Sequence, residues 1–299
     1  MQNYLYSISN RSAIPYSISS NNIMQITIPI PPLEIQQEIV KILDAFTELN
    51  TELNTELNTE LKARKKQYQY YQNMLLDFKD INSNHKDAKM SAKIYPKRLK
   101  TLLQTLAPKG VEFRKLGEVL EYDQPNKYCV TSKEFDKSYP TPVLTAGKTF
   151  ILGYTNEKDN IYQASKSSPV IIFDDFTTAT QWVDFPFKVK SSAMKILLPK
   201  NPTINIRFIF FYMQTIPYNI SGEHTRQWIS RYSQITIPIP PLEIQQEIVK
   251  ILDQFSTLTT DLLAGIPAEI EARKKQYEYY REKLLAFKPL TPHKEVKKC

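Results

Sequence analysis

The sequence predicts an α+β protein: one β-rich, mixed domain set between two long helices that pair with each other. Three observations predict it. The stretch "QITIPIPPLEIQQEIVKILD" occurs twice without a change, at Gln25–Asp44 and Gln234–Asp253, 209 positions apart. Each copy opens a segment with helical periodicity. The residues between the copies switch to short apolar runs parted by Pro, Gly, Asn and Asp.

The repeat extends beyond its identical core. At the same offset of 209, "ARKKQYQYYQNMLLDFK" (Ala63–Lys79) matches "ARKKQYEYYREKLLAFK" (Ala272–Lys288), and only the middle of the unit differs. Each unit therefore spans 55 residues, 25–79 and 234–288. A repeat used twice makes no solenoid, which stacks three or more units.

Within a unit, "ITIPIPP" begins extended, because successive prolines fix φ and push their predecessors out of the helical region. Pro31 and Pro32 precede "LEIQQEIVKILDAF", and proline suits a helix start, where its missing N–H has no partner to lose. Glu34 and Glu38 fall at the positive end of the helix dipole. Ile35, Ile39, Ile42, Leu43 and Phe46 then recur on one face, followed by Leu49, Leu53, Leu57 and Leu61 and by Tyr68, Tyr71, Leu75 and Phe78. Unbroken from Leu33 to Phe78, this helix is about 69 Å long. It needs a partner along most of that length, and the second copy supplies one. Gly265 and Pro267 are expected to kink or interrupt the second helix near its middle. The tract "TELNTELNTELNTEL" in the first helix has a period of four, so its leucine stripe drifts by about 40° per repeat. That is a poor heptad and a serviceable spacer, each tetrapeptide adding about 6 Å.

Between the units, residues 80–108 read as a polar linker followed by a short helix, "KRLKTLLQTLAP". From Val111 the β-like runs are "VEFRKL", "PTPVLTA", "TFILGYT", "PVIIFDDF", "WVDFPFKVK" and "AMKILLP", and "IRFIFFYMQTI" reads as a buried helix.

Charge points to a partner. The chain of 299 residues carries a net +8, unevenly spread. Residues 89–233 hold 21 Lys and Arg against 12 Asp and Glu, whereas 25–79 hold six against eight and 234–288 seven against eight. A basic middle between near-neutral flanks suits a polyanion.

Other classes find little support. Six glycines include no P-loop and no G-x-G-x-x-G after a strand. Cys129 and Cys299 make neither a disulfide framework nor a metal spacing, which fits a reducing cytoplasm. No run of about 18 apolar residues is present to span a membrane, and "MQNYLYSISN" has no signal-peptide pattern. His85, His224 and His293 are scattered, and no Ser or Cys sits in a nucleophile elbow. Asp174 and Asp175 in "FDDF" lack a third carboxylate and read as loop or strand-end residues, because neighbours on a strand face opposite ways. What remains suits nucleic-acid reading. Lys148, Thr149, Tyr154, Thr177, Thr178, Gln181, Lys188, Lys190, Arg226, Gln227 and Arg231 provide phosphate donors and groove-edge hydrogen bonders.

The element "IPIPPLEIQQEIVKILD", running into a long helix that closes with "ARKKQYEYYREKLLAFK", closely resembles the spacer of the DNA-specificity subunit of type I restriction–modification systems. "LAPKGVEFRKLGEV" (Leu106–Val119) is similar to the opening of a target recognition domain of that family, and "IIFDDFTTATQWVDFPFKVKSSAMKIL" to its body. The resemblance implies two helices paired antiparallel as a coiled-coil spacer, and a domain that reads one half of a bipartite DNA target. It implies a non-catalytic chain that binds double-stranded DNA and methyltransferase subunits, and a restriction/motor subunit through the complex. S-adenosylmethionine, ATP and Mg2+ are then expected on those partners and no cofactor on this chain. Its division reads as a remnant of a preceding recognition domain (1–24), a first spacer unit (25–79), a linker with a short helix (80–108), a recognition domain (109–233), a second spacer unit (234–288) and a tail (289–299). With one complete recognition domain, the chain looks like a half form that forms a homodimer or takes a second specificity fragment. A structural coiled coil or decayed fragment that binds the methyltransferase without reading DNA is the other reading.

Overall fold

The computed structural model describes residues 19–24, 26, 28–78, 95–146, 149–217 and 225–287. The chain divides into two compact units, residues 1–60 with 263–299, and residues 61–262. The 80–94 linker, residues 289–299, and all three histidines lie outside the described residues.

Both spacer helices form. After α1 (Ser20–Met24), α2 runs over Leu33–Leu76, and its repeat partner, α6, over Leu242–Leu285. Identical sequence builds identical helix starts. The Pro32 carbonyl accepts from the Ile35 and Gln36 amides, as Pro241 does from Ile244 and Gln245. The Gln36 side chain donates back to the Pro31 carbonyl at 2.6 Å, and Gln245 to that of Pro240 at 2.7 Å. In the tract of period four, the Thr47, Thr51, Thr55 and Thr59 hydroxyls each donate to the carbonyl four residues earlier, at 2.8 to 2.9 Å. Every fourth residue sits over the preceding turn, so each threonine hydroxyl shares the carbonyl that its own amide uses, a back-bond that slightly weakens and bends a helix.

The expected interruption of the second helix does not occur: α6 continues through Gly265 and Pro267. A proline inside a helix costs about 3 kcal/mol. Packing on both sides of it offsets that cost, since Ile266 is buried and Tyr280 stacks on Phe46 with centroids 5.5 Å apart. Within the other unit, Tyr71 stacks on Phe255 at 4.9 Å. The two stacks are the same contact made twice: Phe46 and Phe255 are repeat equivalents, and so are Tyr71 and Tyr280. In each unit an early segment of one helix meets a late segment of the other, the antiparallel sense. A contact that repeats with its partners exchanged is self-complementary, as an isologous interface is. This gives the duplicated unit a structural purpose.

The unit of residues 61–262 carries the β-rich domain. It opens with α3 (Lys97–Leu106), β1 (Glu112–Lys115), α4 (Leu116–Val119) and β2 (Leu120–Asp123). There follow β3 (Thr141–Leu144), β4 (Ile151–Thr155), β5 (Val170–Asp174), β6 (Thr180–Val183), β7 (Lys188–Val189) and β8 (Met194–Pro199). It closes with α5 (Ile206–Met213) and β9 (Thr236–Ile239). A four-stranded antiparallel sheet has the order β2-β8-β5-β6, and a three-stranded sheet the order β4-β3-β7, in which β3 and β7 run parallel. β5 is the central layer. All five of its residues are buried, and alternation sends Ile171 and Phe173 into one apolar cluster and Val170 and Ile172 into another.

The repeat's opening strand ties this domain to α6. β9 pairs antiparallel with β1, setting Glu112 against Ile239 and Arg114 against Ile237. Ile237, Ile244, Ile248 and Leu252 are fully buried against the domain, each contributing about 1.5 to 3 kcal/mol. Polar contacts fix the register. Asn205 caps α5, its side chain accepting from the Arg207 and Phe208 amides. The Asn205 amide donates to Gln245 Oε1 at 2.8 Å, and Gln245 Nε2 donates to the Thr203 carbonyl at 3.1 Å. Arg207 donates from Nε and Nη2 to Asp253 Oδ1 at 2.9 and 2.8 Å, with its guanidinium over the Trp182 ring.

Candidate nucleic-acid interface

The site is organised by the two adjacent aspartates at the end of β5. Asp174 shapes the turn into β6. Its Oδ1 accepts from the Phe176 and Thr177 amides at 2.9 and 3.2 Å, and its Oδ2 from the Thr177 hydroxyl at 2.6 Å. The Thr178 amide closes on the Asp174 carbonyl, which holds Thr178 at φ 60°. That conformation is strained for a β-branched residue and persists because the surrounding bonds over-determine it. Thr177, Thr178 and Gln181 are thereby displayed on one rigid hairpin.

Asp175 faces inward and does something else. Its carbonyl accepts from the Gln227 amide and its Oδ1 from the Trp228 amide, both at 2.8 Å. One buried aspartate therefore clamps the 225–231 segment, with Arg226 and Arg231 exposed on it, beside the β5–β6 turn. Among the described residues Asp175 Oδ2 meets no hydrogen-bond donor at bonding geometry, but it lies 3.5 Å from Lys195 Nζ, with both side chains buried. Lys195 also donates to Gln124 Oε1 and sits over the Tyr122 ring. Burial pushes the Lys195 pKa down; Asp175 opposes that shift and Arg226 adds to it.

A third segment adjoins. Thr145, Ala146 and Phe150 of the β3–β4 turn share a cavity of about 20 Å³ with Asp174, Ala179 and Gln181. Thr149 is exposed on this turn, and Lys148 lies outside the described residues. Lys190 is exposed, its Nζ 5.4 Å from the Phe135 ring centroid, and its amide donates to the Leu144 carbonyl. The structure thus brings Thr149, Thr177, Thr178, Gln181, Arg226 and Arg231 onto linked loops. Tyr154 stands apart, half-buried with Pro142, Ile161 and Phe185.

Two expected DNA contacts are corrected. Lys188 is only 1 % exposed and is spent on an ion pair with Glu157 at 2.6 Å and on the Asp159 carbonyl at 2.9 Å. Burial raises the Glu157 pKa, but Lys188, Ser132 and Thr131 together hold its carboxyl down at about 2. Gln227 is buried, its Nε2 donating to the Thr225 carbonyl and hydroxyl. Residue type alone suggested both; the inward turn of their strand and loop removes them. Conversely, Asp175, Lys195 and Gln124 gave no sequence signal as a group, because 20 and 71 residues separate partners that only the sheet brings together.

Comparison with known proteins supplies the family. The sequence model of the type I restriction modification DNA specificity domain matches residues 1–63 and 108–272, more than half of the chain. The chain is 55% identical over 188 residues to the type I restriction enzyme EcoR124I/EcoR124II specificity subunit of Escherichia coli, covering 60% of this chain and 45% of that protein. It is thus similar to a protein of which it spans less than half. It is 33% identical over 283 residues to the putative type I specificity subunit S.MpnORF89P of Mycoplasma pneumoniae, covering 92% of this chain and 76% of that one. The fold matches a type I restriction–modification S subunit from M. genitalium with a TM-score of 0.54 at 15% identity, over 96% of this chain and 70% of that one. It matches a chain from a structural study of type I R-M complex assembly with a TM-score of 0.60 at 17% identity, over 95% and 67%. The paired long helices, the β-rich domain seated on one of them and these matches agree: the chain belongs to the type I restriction–modification DNA specificity family.

Proposed function

We propose that this chain is the non-catalytic, sequence-reading subunit of a type I restriction–modification complex, directing methyltransferase and restriction subunits to a bipartite DNA target in the cytoplasm. The observation that carries the reading is the Asp174–Asp175 junction. It holds the threonines and Gln181 of one loop and the arginines of another in fixed relation on a basic domain. Recognition needs that arrangement, because cations on phosphates set orientation while Gln, Thr and Arg discriminate base edges. Arg226, Arg231 and Lys190 are the phosphate or guanine donors in this account, and Gln181, Thr177 and Thr178 the edge readers.

The helix pair then acts as a ruler between half-sites, and the tract of period four sets its length. The methyltransferase partner brings S-adenosylmethionine, and the motor partner ATP and Mg2+. Mapping N6-methyladenine in the host with and without this gene tests the proposal. Loss of one interrupted motif is expected; an unchanged methylome refutes it. An asymmetric motif excludes a homodimer and requires a second specificity fragment. In vitro, affinity falls with salt at a log–log slope of about −0.9 per phosphate contacted, and Arg226→Ala lowers that slope by about one if Arg226 meets phosphate.

A further inference from the structure

The recognition domain meets α6 along two neighbouring rows of side chains. Ile244, Ile248 and Leu252 form a buried apolar row. Gln245 and Asp253, each one position further on, belong to a second row and stand eight residues apart, about 12 Å along the axis. Both ends of this second row hold the start of α5. Gln245 accepts from the Asn205 amide and donates to the Thr203 carbonyl, and Asp253 accepts from Arg207. The late part of α2 adds a third hold, since the buried Gln72 donates to the Phe211 carbonyl at 3.0 Å. An apolar row alone is a line about which a domain can rock, because hydrophobic burial has no direction. The hydrogen bonds beside it do have direction.

Arg207 also reaches the reading hairpin. Its guanidinium lies 4.5 Å from the Trp182 ring centroid, and 4.7 and 5.1 Å from those of Phe211 and Phe210. Trp182 follows Gln181 on β6, and strand alternation turns the two to opposite faces. Gln181 is exposed, whereas Trp182 packs on the cluster that contains Phe210. One cation therefore links the strand that carries Gln181 to the spacer helix, through a ring on one side and a carboxylate on the other. The Arg207 and Asp253 side chains keep 22% and 43% exposure, so this bridge is not what keeps the domain folded. The apolar row and the β1–β9 pairing stand without it. A planar, weakly hydrated guanidinium suits a stacked, partly exposed bridge better than an ammonium does.

We propose that Arg207 is a positioning residue for the recognition of an interrupted target. By tying Trp182 to Asp253 it sets the tilt of the β5–β6 hairpin on α6, and with it the gap between half-sites that the complex accepts. Rocking of the domain about the apolar row displaces its reading loops without altering the loops themselves. The bases read therefore stay the same while the preference for one gap over the next, about 3.4 Å longer or shorter, weakens. The inference rests on the DNA-reading proposal and adds to it: helix length sets the gap coarsely, and Arg207 sets how sharply one gap is chosen.

The test has one readout without DNA and one with it. Nitroxide labels at Lys166→Cys on the domain and Lys250→Cys on α6, both exposed positions, report the tilt in a full chain that also carries Cys129→Ser and Cys299→Ser. Arg207→Gln is expected to broaden the distribution of distances between the labels. In the complex with the methyltransferase subunit, duplexes carry the motif found by N6-methyladenine mapping, with its gap unchanged or altered by one base pair. Arg207→Gln is expected to raise methylation at the altered gaps relative to the unchanged gap at least about tenfold, with base preference in each half-site unchanged. Asp253→Asn, which leaves the cation on its rings, has the same effect in smaller measure. Gly153→Ala, which weakens the three-stranded sheet, changes neither readout, so lost stability alone does not account for the effect. An unchanged distance distribution overturns the proposal. So does unchanged gap selection, or a relaxation that Gly153→Ala matches. If the unaltered complex selects no gap, the DNA-reading proposal fails and this one with it, a result seen before any variant is made.

Discussion

Replacing Asp175 with asparagine isolates the charge at the centre of the candidate interface. Asn retains an oxygen for the Trp228 amide, so the loop clamp survives in outline. The loss is the carboxylate's attraction for Lys195 at 3.5 Å, about 5 kcal/mol at an effective dielectric of about 20. Removing one partner of a buried pair strands the other, and the expected cost near pH 7 is about 3 to 5 kcal/mol. The pH dependence has a definite sign. The Lys195 pKa is already held below its ordinary 10.5, first by burial, with Asp175 opposing; without Asp175 it falls further. Between the depressed folded value and 10.5 the unfolded chain binds more protons, so stability rises with pH. The deficit of Asp175→Asn therefore shrinks as the pH rises toward 10.5, when folded Lys195 is neutral. Adding Lys195→Met to Asp175→Asn recovers most of the loss near pH 7, because neither charge is then stranded. Urea unfolding followed by the fluorescence of Trp182 and Trp228, the chain's two tryptophans, measures the unaltered chain and both variants. A single-variant loss below about 1 kcal/mol, or one independent of pH, would refute the argument that the buried Asp175–Lys195 charge pair stabilises the base of the candidate loops.

Three further outcomes are expected. Gly153→Ala lowers the melting temperature, at a cost of about 1 to 3 kcal/mol, because the added Cβ lies 2.7 Å from Phe135 Cβ. Glu157, with a folded pKa of about 2, contributes stability that is present above its unfolded value near 4.5 and lost as pH falls through that window; Glu157→Gln flattens the acid limb of a pH-dependent melt. Deleting one Thr-Glu-Leu-Asn tetrapeptide shortens α2 by about 6 Å, changing the gap between half-sites in the methylation motif while leaving the bases at each end unchanged.

The helices and most strands were legible because their signals are local. Proline pairs, carboxylates in the first turn and an apolar face are all present within one turn or two of where they act. β5 was legible as an apolar run bounded by turn residues. The candidate site was legible only by residue type. Thr177, Thr178 and Gln181 stand out in the sequence only as polar loop residues; the bonds that make their turn rigid come from Asp174, which reads as a loop or strand-end residue. Lys188 and Gln227 have the right chemistry and face the wrong way. Facing is decided by strand pairing, and β7, two residues long, carries no period that a sequence reader could follow.

The duplicated stretch shows where local reading ends. Ile28 and Ile30 and their equivalents Ile237 and Ile239 share the same neighbours in sequence for many residues on the C-terminal side. All the short-range structure follows: the proline-led helix start, the glutamine bond and the helix itself appear twice. Only the strand differs, and a strand is not a local object, since its backbone N–H and C=O groups need another strand to receive them. The second copy has β1 beside it, while among the described residues no strand pairs with the first, so one sequence is a paired strand in one place and not in the other. The difference between the copies is thus a direct readout of what the seated domain adds, and it makes the bare copy the more informative of the two.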